Sequence, residues 1–119
     1  MTQPGSFNKV FIANRGEVAV RIARAAAMLR IRSGAVFSRD DSDSLHRRRA
    51  DEAVALEGVG SAAYLDIEAI VAAAQRAGCD AIHPGYGFLS ESAAFARRCA
   101  GSGIAFIGPR PEVLDLLST

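Results

Sequence analysis

Two short segments of this chain carry residue types that could do chemistry. One reads NRGE and spans Asn14–Glu17, and the other reads HPGYGFLSE and spans His83–Glu91. Glycine permits positive φ angles and a close approach of the backbone to a ligand. A turn into a helix also offers backbone N–H groups to an anion. Three interpretations of the HPGYGFLSE segment are open: a phosphate cradle, a substrate-facing loop, or a tight turn into a helix.

The phosphate interpretation is weak because the glycine spacing is wrong. A dinucleotide-binding turn requires G-x-G-x-x-G after the first strand, and the NRGE segment supplies only Gly16. Asp40 and Asp41 could imitate the acid that binds a ribose, but without the glycines they do not indicate a nucleotide site. We expect Gly16 to serve close packing between helix and strand.

The HPGYGFLSE segment offers one titratable ring and two aromatic side chains. His83 could act as an acid or base, but no partnered nucleophile is visible nearby, so we favour a structural hydrogen-bonding role. Tyr86 and Phe88 flank Gly87, and we do not expect both to be buried. The segment is therefore predicted to present one of them to a cleft, with the plain turn as the alternative.

Apolar runs that alternate with helical patterns must position these segments. The predicted strands span residues 9–14, 34–38, 52–56, 80–84 and 104–108. The predicted helices span residues 16–30, 44–50, 66–78 and 90–101, and a further helix begins at Pro111. Asp66 and Ser90 suit helix N-caps, and Gly78 suits a left-handed helix end. Residues 57–62 are predicted to form a flexible turn.

One helical face of the first helix is apolar and is expected to pack on the sheet. That face comprises Val18, Ile22, Ala25, Ala26 and Leu29. Alternating strands and helices predict an α/β, Rossmann-like, three-layer domain with a mainly parallel five-stranded sheet. Ligands of such sheets bind beyond the carboxyl ends of the strands, at the switch point in strand order. This position favours a ligand-facing role for the NRGE and HPGYGFLSE segments.

Composition excludes several classes of protein. The chain has 119 residues, a net charge of +1, 50% hydrophobic residues and 23% charged residues. These values are typical of one globular domain and do not indicate nucleic acid or a membrane as a partner. Cys79 and Cys99 lack metal-ligand spacing and are expected to pack as small apolar residues, so no metal site is predicted. Without a leader-like apolar segment, we expect a cytoplasmic protein.

Five blocks of the sequence resemble the biotin carboxylase family. They read KVFIANRGEVAVRIARAAAMLRI, RRADEAVAL, YLDIEAIVAAA, AIHPGYGFLSES and FIGPRPEVLDLL, and they lie within residues 7–117. The NRGE and HPGYGFLSE segments are specific to that family when they occur together at this separation. Ser92 stands where members usually carry Asn, and Met28 stands where some carry an acid.

The resemblance implies a domain that precedes an ATP-grasp fold, with residues 1–119 as that domain. The parent enzyme, an ATP-dependent ligase, would carboxylate biotin with bicarbonate through carboxyphosphate, using Mg²⁺ or Mn²⁺. Its biotin-side cleft would be lined by His83, Gly85, Tyr86, Gly87 and Glu91. Arg21 and Arg24 share a polar helix face, which is either solvated or, as in several members, part of a subunit contact.

The resemblance also implies partners and limits. The partners would be the ATP-grasp region of the parent enzyme, a biotin carboxyl carrier domain and a carboxyltransferase component, with a homodimer possible. An acyl-CoA carboxylase α chain is the parent expected first. This chain alone would be inactive and would hold no cofactor tightly. The alternatives are a docking module for a separate ATP-grasp subunit and a stand-alone nucleotide-binding Rossmann domain.

Overall fold

The computed structural model describes residues 7–38, 50–56, 58–85 and 88–108, with Ser61 described by its backbone alone. Its five strands form one parallel sheet in the order β3-β2-β1-β4-β5. The strands are β1 (Lys9–Ile12), β2 (Arg32–Phe37), β3 (Glu52–Ala55), β4 (Ala81–His83) and β5 (Ala105–Phe106). The helices are α1 (Gly16–Met28), α2 (Gly60–Ala63), α3 (Ile67–Arg76) and α4 (Ala93–Gly101). The predicted α/β fold with a parallel five-stranded sheet is confirmed.

The larger core lies between the sheet and helices α3 and α4. There Phe11, Val36 and Ile82 of the strands join buried side chains of the two helices, among them Ile70 and Phe95. The opposite face carries α1, where Ile12 and Ala35 pack against small residues. Runs of apolar residues on both faces of a strand are what a doubly covered parallel sheet requires.

The face of α1 that packs on the sheet differs from the predicted apolar face. The residues buried there are Ala19, Val20, Ala23 and Ala26. Of the predicted set only Ala26 is buried, whereas Leu29 is 71% exposed. The prediction was wrong because alanine side chains let the helix approach the sheet closely, while Val18 and Ile22 are only partly buried and Leu29 lies exposed at the end of the helix. The consequence is an apolar flank that the described residues leave open.

Several element boundaries were predicted correctly and others were not. Asp66 caps α3 by accepting the Ala69 N–H at 3.1 Å, and Gly78 ends that helix with φ +71°. The cap of α4 is Ser92, which accepts the Phe95 N–H at 3.1 Å, so the prediction of Ser90 was wrong. Residues 60–63 form α2 where a flexible turn was predicted. The predicted helices at 44–50 and after Pro111 lie outside the described residues.

A buried lysine closes the amino end of the sheet. The Lys9 ammonium donates to Glu52 Oε2 at 2.7 Å and to the Ala77 carbonyl at 2.7 Å. The Asp80 carboxylate accepts the backbone N–H groups of Asn8 and Lys9, each at 3.1 Å. A buried ammonium is stable only when its hydrogens are paired. These contacts fix the start of β1 against its neighbours, at the opposite edge from the candidate site.

Candidate functional site

The NRGE and HPGYGFLSE segments meet at the centre of the sheet's carboxyl edge. Their strands β1 and β4 are direct neighbours, with Ile12 paired with His83. The Ala13 N–H continues this pairing by donating to the His83 carbonyl at 3.1 Å. The strand order reverses between β1 and β4, so the segments that follow these strands flank the switch point where such sheets bind ligands.

Asn14 connects the two segments. Its Nδ2 donates to the Pro84 carbonyl at 2.6 Å, and its Oδ1 accepts the Arg15 N–H at 2.8 Å. The side chain is buried, so these hydrogen bonds are protected from water. A single amide therefore fixes the backbone on both sides of the switch point, and the NRGE turn directs its asparagine towards the HPGYGFLSE segment.

Gly85 lies so close to Asn14 and Val18 that a side chain at this position would not fit. Its φ is +67°, and an added Cβ would lie 2.5 Å from Val18 Cγ1 and 2.9 Å from Asn14 Nδ2. Gly16 differs, because an added Cβ there would meet nothing within 4 Å, although its φ is +62°. Gly16 thus serves the turn conformation, and the prediction that it allows close helix–strand packing was wrong. Gly85 is the glycine that allows close approach.

His83 supports this conformation from within the segment. Its Nδ1 accepts the Gly85 N–H at 3.2 Å, which matches the predicted structural hydrogen-bonding role. Burial lowers the pKa of His83 below its usual value near 6.5, because a desolvated imidazolium is unfavourable. The neutral ring is also the only form whose Nδ1 can accept a hydrogen bond.

An aromatic contact holds the segment at its other end. The rings of Phe88 and Tyr64 lie 5.2 Å apart at an angle of 41°. Tyr64 is fully buried, and its hydroxyl accepts the Ser38 N–H at 3.1 Å. Phe88 has a φ of +46°, which is rare for a residue with a side chain. The side chain of Phe88 is half-buried and packs against the larger core.

Of the other predicted site residues, two lie outside the described part of the chain and three are exposed. Tyr86 and Gly87 lie outside the described residues, between Gly85 and Phe88. Glu91 is exposed in the turn that precedes α4. Arg21 and Arg24 are exposed on α1, one turn apart.

A groove opens beside α1 on the face of the sheet opposite α3 and α4. Its volume is about 530 Å³. Val18, Ile22 and Leu29 of α1 line one side, and Arg21 lies among them. Val10 and Ile107 contribute from the sheet side, and His83 and Gly85 lie at the end nearest the candidate site. Val18, Ile22 and Leu29 thus line the groove, and of these Ile22 also packs against the core beside Ile12 and Ala35.

Sequence reasoning missed Asn14 and Tyr64 as site-building residues. Asn14 was considered only as part of an anion-binding turn, although a polar side chain buried at the end of a central strand needs hydrogen-bond partners. Tyr64 lies two residues before the Asp66 cap and gave no chemical signal. Its partners are 24 or more residues away along the chain, at Ser38 and Phe88.

The described residues include two buried cysteines, Cys79 and Cys99. Burial raises the pKa of both Cys79 and Cys99 to about 11, so their thiols stay protonated at neutral pH. Both cysteines are buried and neither forms a disulfide, which confirms the expected apolar packing. Among the described residues, no group of three or more His, Cys, Asp or Glu side chains could hold a metal ion. In the same part of the chain, no helix has both the length and the apolar character needed to span a membrane.

Comparisons with known proteins agree on one family. Residues 6–114 match the family described as biotin carboxylase, N-terminal domain. A pyruvate carboxylase from Bacillus subtilis is 58% identical over 114 residues, covering 93% of this chain and 10% of that protein. A biotin carboxylase from Halalkalibacterium halodurans is 53% identical over 114 residues, covering 95% of this chain and 25% of that protein.

A solved structure gives the same result for the fold. The biotin carboxylase domain of a single-chain bacterial carboxylase superimposes with a TM-score of 0.91 at 58% identity. The match covers 93% of this chain and 26% of that one. The chain thus spans a quarter or less of the curated relatives named above. The family match over residues 6–114, the sequence identity and the shared fold together show that this chain belongs to the biotin carboxylase N-terminal domain family.

Proposed function

We propose that this domain forms the biotin-side wall of the active site in a biotin carboxylase, an enzyme that carboxylates biotin with bicarbonate and ATP. The observation that carries the proposal is the hydrogen bond from Asn14 Nδ2 to the Pro84 carbonyl at 2.6 Å. It fixes the HPGYGFLSE segment at the switch point, where an open parallel sheet offers its ligand cleft. A wall that recognises a small ring must be held in place before the ring binds.

The residues of the segment suit a flat ring that has polar edges. Gly85 allows the segment to approach Val18 and Asn14 closely, and Gly87 has no side chain that would keep a ligand away from the backbone. Tyr86 would supply a flat apolar contact, and His83 and Glu91 would support the segment from either end. The neutral state of His83 favours a role in shaping the wall, since burial lowers its pKa.

In this proposal ATP and Mg²⁺ or Mn²⁺ are held by an ATP-grasp region that packs against this domain. The apolar groove beside α1 supports such packing, since it reaches the candidate site at Gly85 and continues to Ile107. Burying the side chains of Ile22 and Leu29 there would be favourable by about 25 cal/mol for each Å² removed from water. The domain alone would be inactive, because phosphoryl chemistry needs cations around the phosphates that this wall does not provide.

The partners follow from the same arrangement. A biotin carboxyl carrier domain would deliver the biotin, and a carboxyltransferase component would consume the carboxylated product. The acyl acceptor is chosen by that component, and the relatives named above include a pyruvate carboxylase. That the parent is an acyl-CoA carboxylase therefore remains a prediction. Two further predictions are that residues 1–119 form one domain and that Arg21 and Arg24 take part in a subunit contact.

A second candidate function is a docking module for a separate ATP-grasp subunit. The same groove favours it, because an apolar surface of this kind can be covered by another chain as well as by a continuation of the same one. The two candidates differ in whether a covalent connection to the ATP-grasp region is needed.

Three samples test the proposal. The first is the 119-residue chain alone, the second is this chain joined to the remainder of the biotin carboxylase of Halalkalibacterium halodurans, and the third is that remainder alone. We expect biotin- and bicarbonate-dependent ATP hydrolysis only in the second. Turnover by the chain alone, or a folded chimera no more active than the remainder, would contradict the proposal. Activity restored by simply mixing the two pieces would favour the docking module.

A further inference from the structure

We propose that Tyr64 is a positioning residue that holds the far end of the HPGYGFLSE segment in its binding conformation. The inference rests on the proposed function for its consequence, but its structural part can be tested without any catalysis. Tyr64 has no side-chain atom at the surface, so it would act through the residues that it touches.

The segment is held at two ends by two different side chains. At the near end, Asn14 holds the Pro84 carbonyl, and Gly85 packs against Val18. At the far end, Phe88 packs on the Tyr64 ring. Only Tyr86 and Gly87 lie between these ends. The described residues on either side of Tyr86 and Gly87 are therefore each held by a buried side chain.

The far end needs such support more than the near end does. Gly85 takes its positive φ at no steric cost, whereas Phe88 takes a φ of +46° with a side chain attached. A residue in this region persists only where its surroundings compensate for the strain. Phe88 packs on the larger core, and its tilted ring contact with Tyr64 at 5.2 Å is part of that compensation.

Tyr64 also connects the segment to a second loop. Its hydroxyl accepts the N–H of Ser38, the residue that follows β2 at the same edge of the sheet. The ring and the hydroxyl thus have separable tasks. The ring supports Phe88, and the hydroxyl holds the end of β2. Tyr64→Phe should remove the second contact alone, and Tyr64→Leu should remove both.

Amide hydrogen exchange in the 119-residue chain tests the structural part. The Ser92 N–H, which donates to the Leu89 carbonyl at 3.1 Å, reports on the far end. The Ala13 N–H, which donates to the His83 carbonyl, reports on the sheet. In Tyr64→Leu we expect exchange at Ser92 to accelerate about tenfold more than at Ala13, as the loss of one aromatic pair implies. In Tyr64→Phe only the Ser38 amide should accelerate.

Ile70→Ala is the control. Ile70 is equally buried in the same core, but it lies on α3 and is distant in sequence from the Ser92 reporter. If this control accelerates Ser92 exchange as much as Tyr64→Leu does, the effect is general destabilisation and the positioning role is refuted. Equal acceleration at Ser92 and Ala13 in Tyr64→Leu would refute it too. If Tyr64→Leu does not fold, Tyr64→Phe still tests the division of tasks between ring and hydroxyl. Exchange in Tyr64→Phe that accelerates as much at the Ser92 amide as at the Ser38 amide would refute it.

Kinetics in the chimeric carboxylase then test the consequence. Tyr64→Leu should raise the KM for free biotin several-fold and leave the KM for ATP unchanged, which a general loss of folded enzyme would not do. A loosened far end with an unchanged KM for biotin would uphold the positioning role and contradict the assignment of this wall to biotin. A far end that stays rigid would overturn the positioning role, whatever the kinetics show.

Discussion

The substitution Gly85→Ala tests the packing of the candidate site more sharply than any other single change. One methyl group would be added where the backbone has a φ of +67°. It would lie 2.5 Å from Val18 Cγ1 and 2.9 Å from Asn14 Nδ2, well inside van der Waals contact. The substitution therefore strains the backbone and pushes apart the two segments that form the site.

The magnitude can be worked out from these two effects. A left-handed conformation costs a residue with a side chain about 1–2 kcal/mol. Overpacking a close contact costs about 1–3 kcal/mol more. Gly85→Ala should thus lower the free energy of unfolding by about 2–5 kcal/mol. Gly78→Ala is the matched control, because Gly78 has a φ of +71° and an added Cβ there would meet nothing within 4 Å. It should cost only the backbone part.

Urea denaturation followed by circular dichroism measures both costs. We expect Gly85→Ala to cost more than Gly78→Ala, and Val18→Ala in the same chain should recover part of the difference, because it removes the nearest clashing atom. Equal costs for the two glycine substitutions, with no coupling to Val18, would show that the HPGYGFLSE segment does not pack against the NRGE side.

Three further predictions concern titratable side chains. Because burial places the folded-state pKa of His83 below its ordinary value, the folded state binds fewer protons, and the free energy of unfolding should fall as the pH drops below about 6.5. His83→Asn should lose that part of the pH dependence, and an unchanged pH profile would count against a buried neutral ring. Cys79 and Cys99, with pKa values of about 11, should react with a thiol reagent at neutral pH only after unfolding, so rapid native labelling would contradict their burial. Lys9→Ala should lower the free energy of unfolding by about 1–3 kcal/mol, since a buried carbonyl loses its donor. Glu52 is half-exposed, so Glu52→Gln should lower the free energy of unfolding by less than Lys9→Ala does. A larger loss for Glu52→Gln would contradict the role of Lys9 in closing the amino end of the sheet.

Much of the fold could be predicted because local signals agreed with one another. Apolar runs too short for helices gave the five strands, and the Asp66 cap and Gly78 end bounded α3 correctly. The face of α1 was predicted wrongly because hydrophobicity alone ranks Ile22 and Leu29 above alanine. In the structure, close approach to the sheet selects Ala19 and Ala23.

The sequence ranked the NRGE and HPGYGFLSE segments first as ligand-facing, but it did not predict the contacts between them. The pairing of β1 with β4 shows that the two segments follow neighbouring strands. Which glycine needed close approach could not be predicted, since Gly16 and Gly85 both take a positive φ. The difference lies in neighbours that only the tertiary fold supplies. The same holds for Tyr64, whose partners are distant in sequence.

Tyr86→Ala in the chimeric carboxylase tests whether this domain forms the wall that contacts biotin. The measurement compares the KM for free biotin with the rate and KM of biotin-independent ATP hydrolysis in the same preparation. We expect the use of biotin to be impaired while the handling of ATP is largely retained. Unchanged kinetics for free biotin, or equal losses for biotin and ATP, would contradict it.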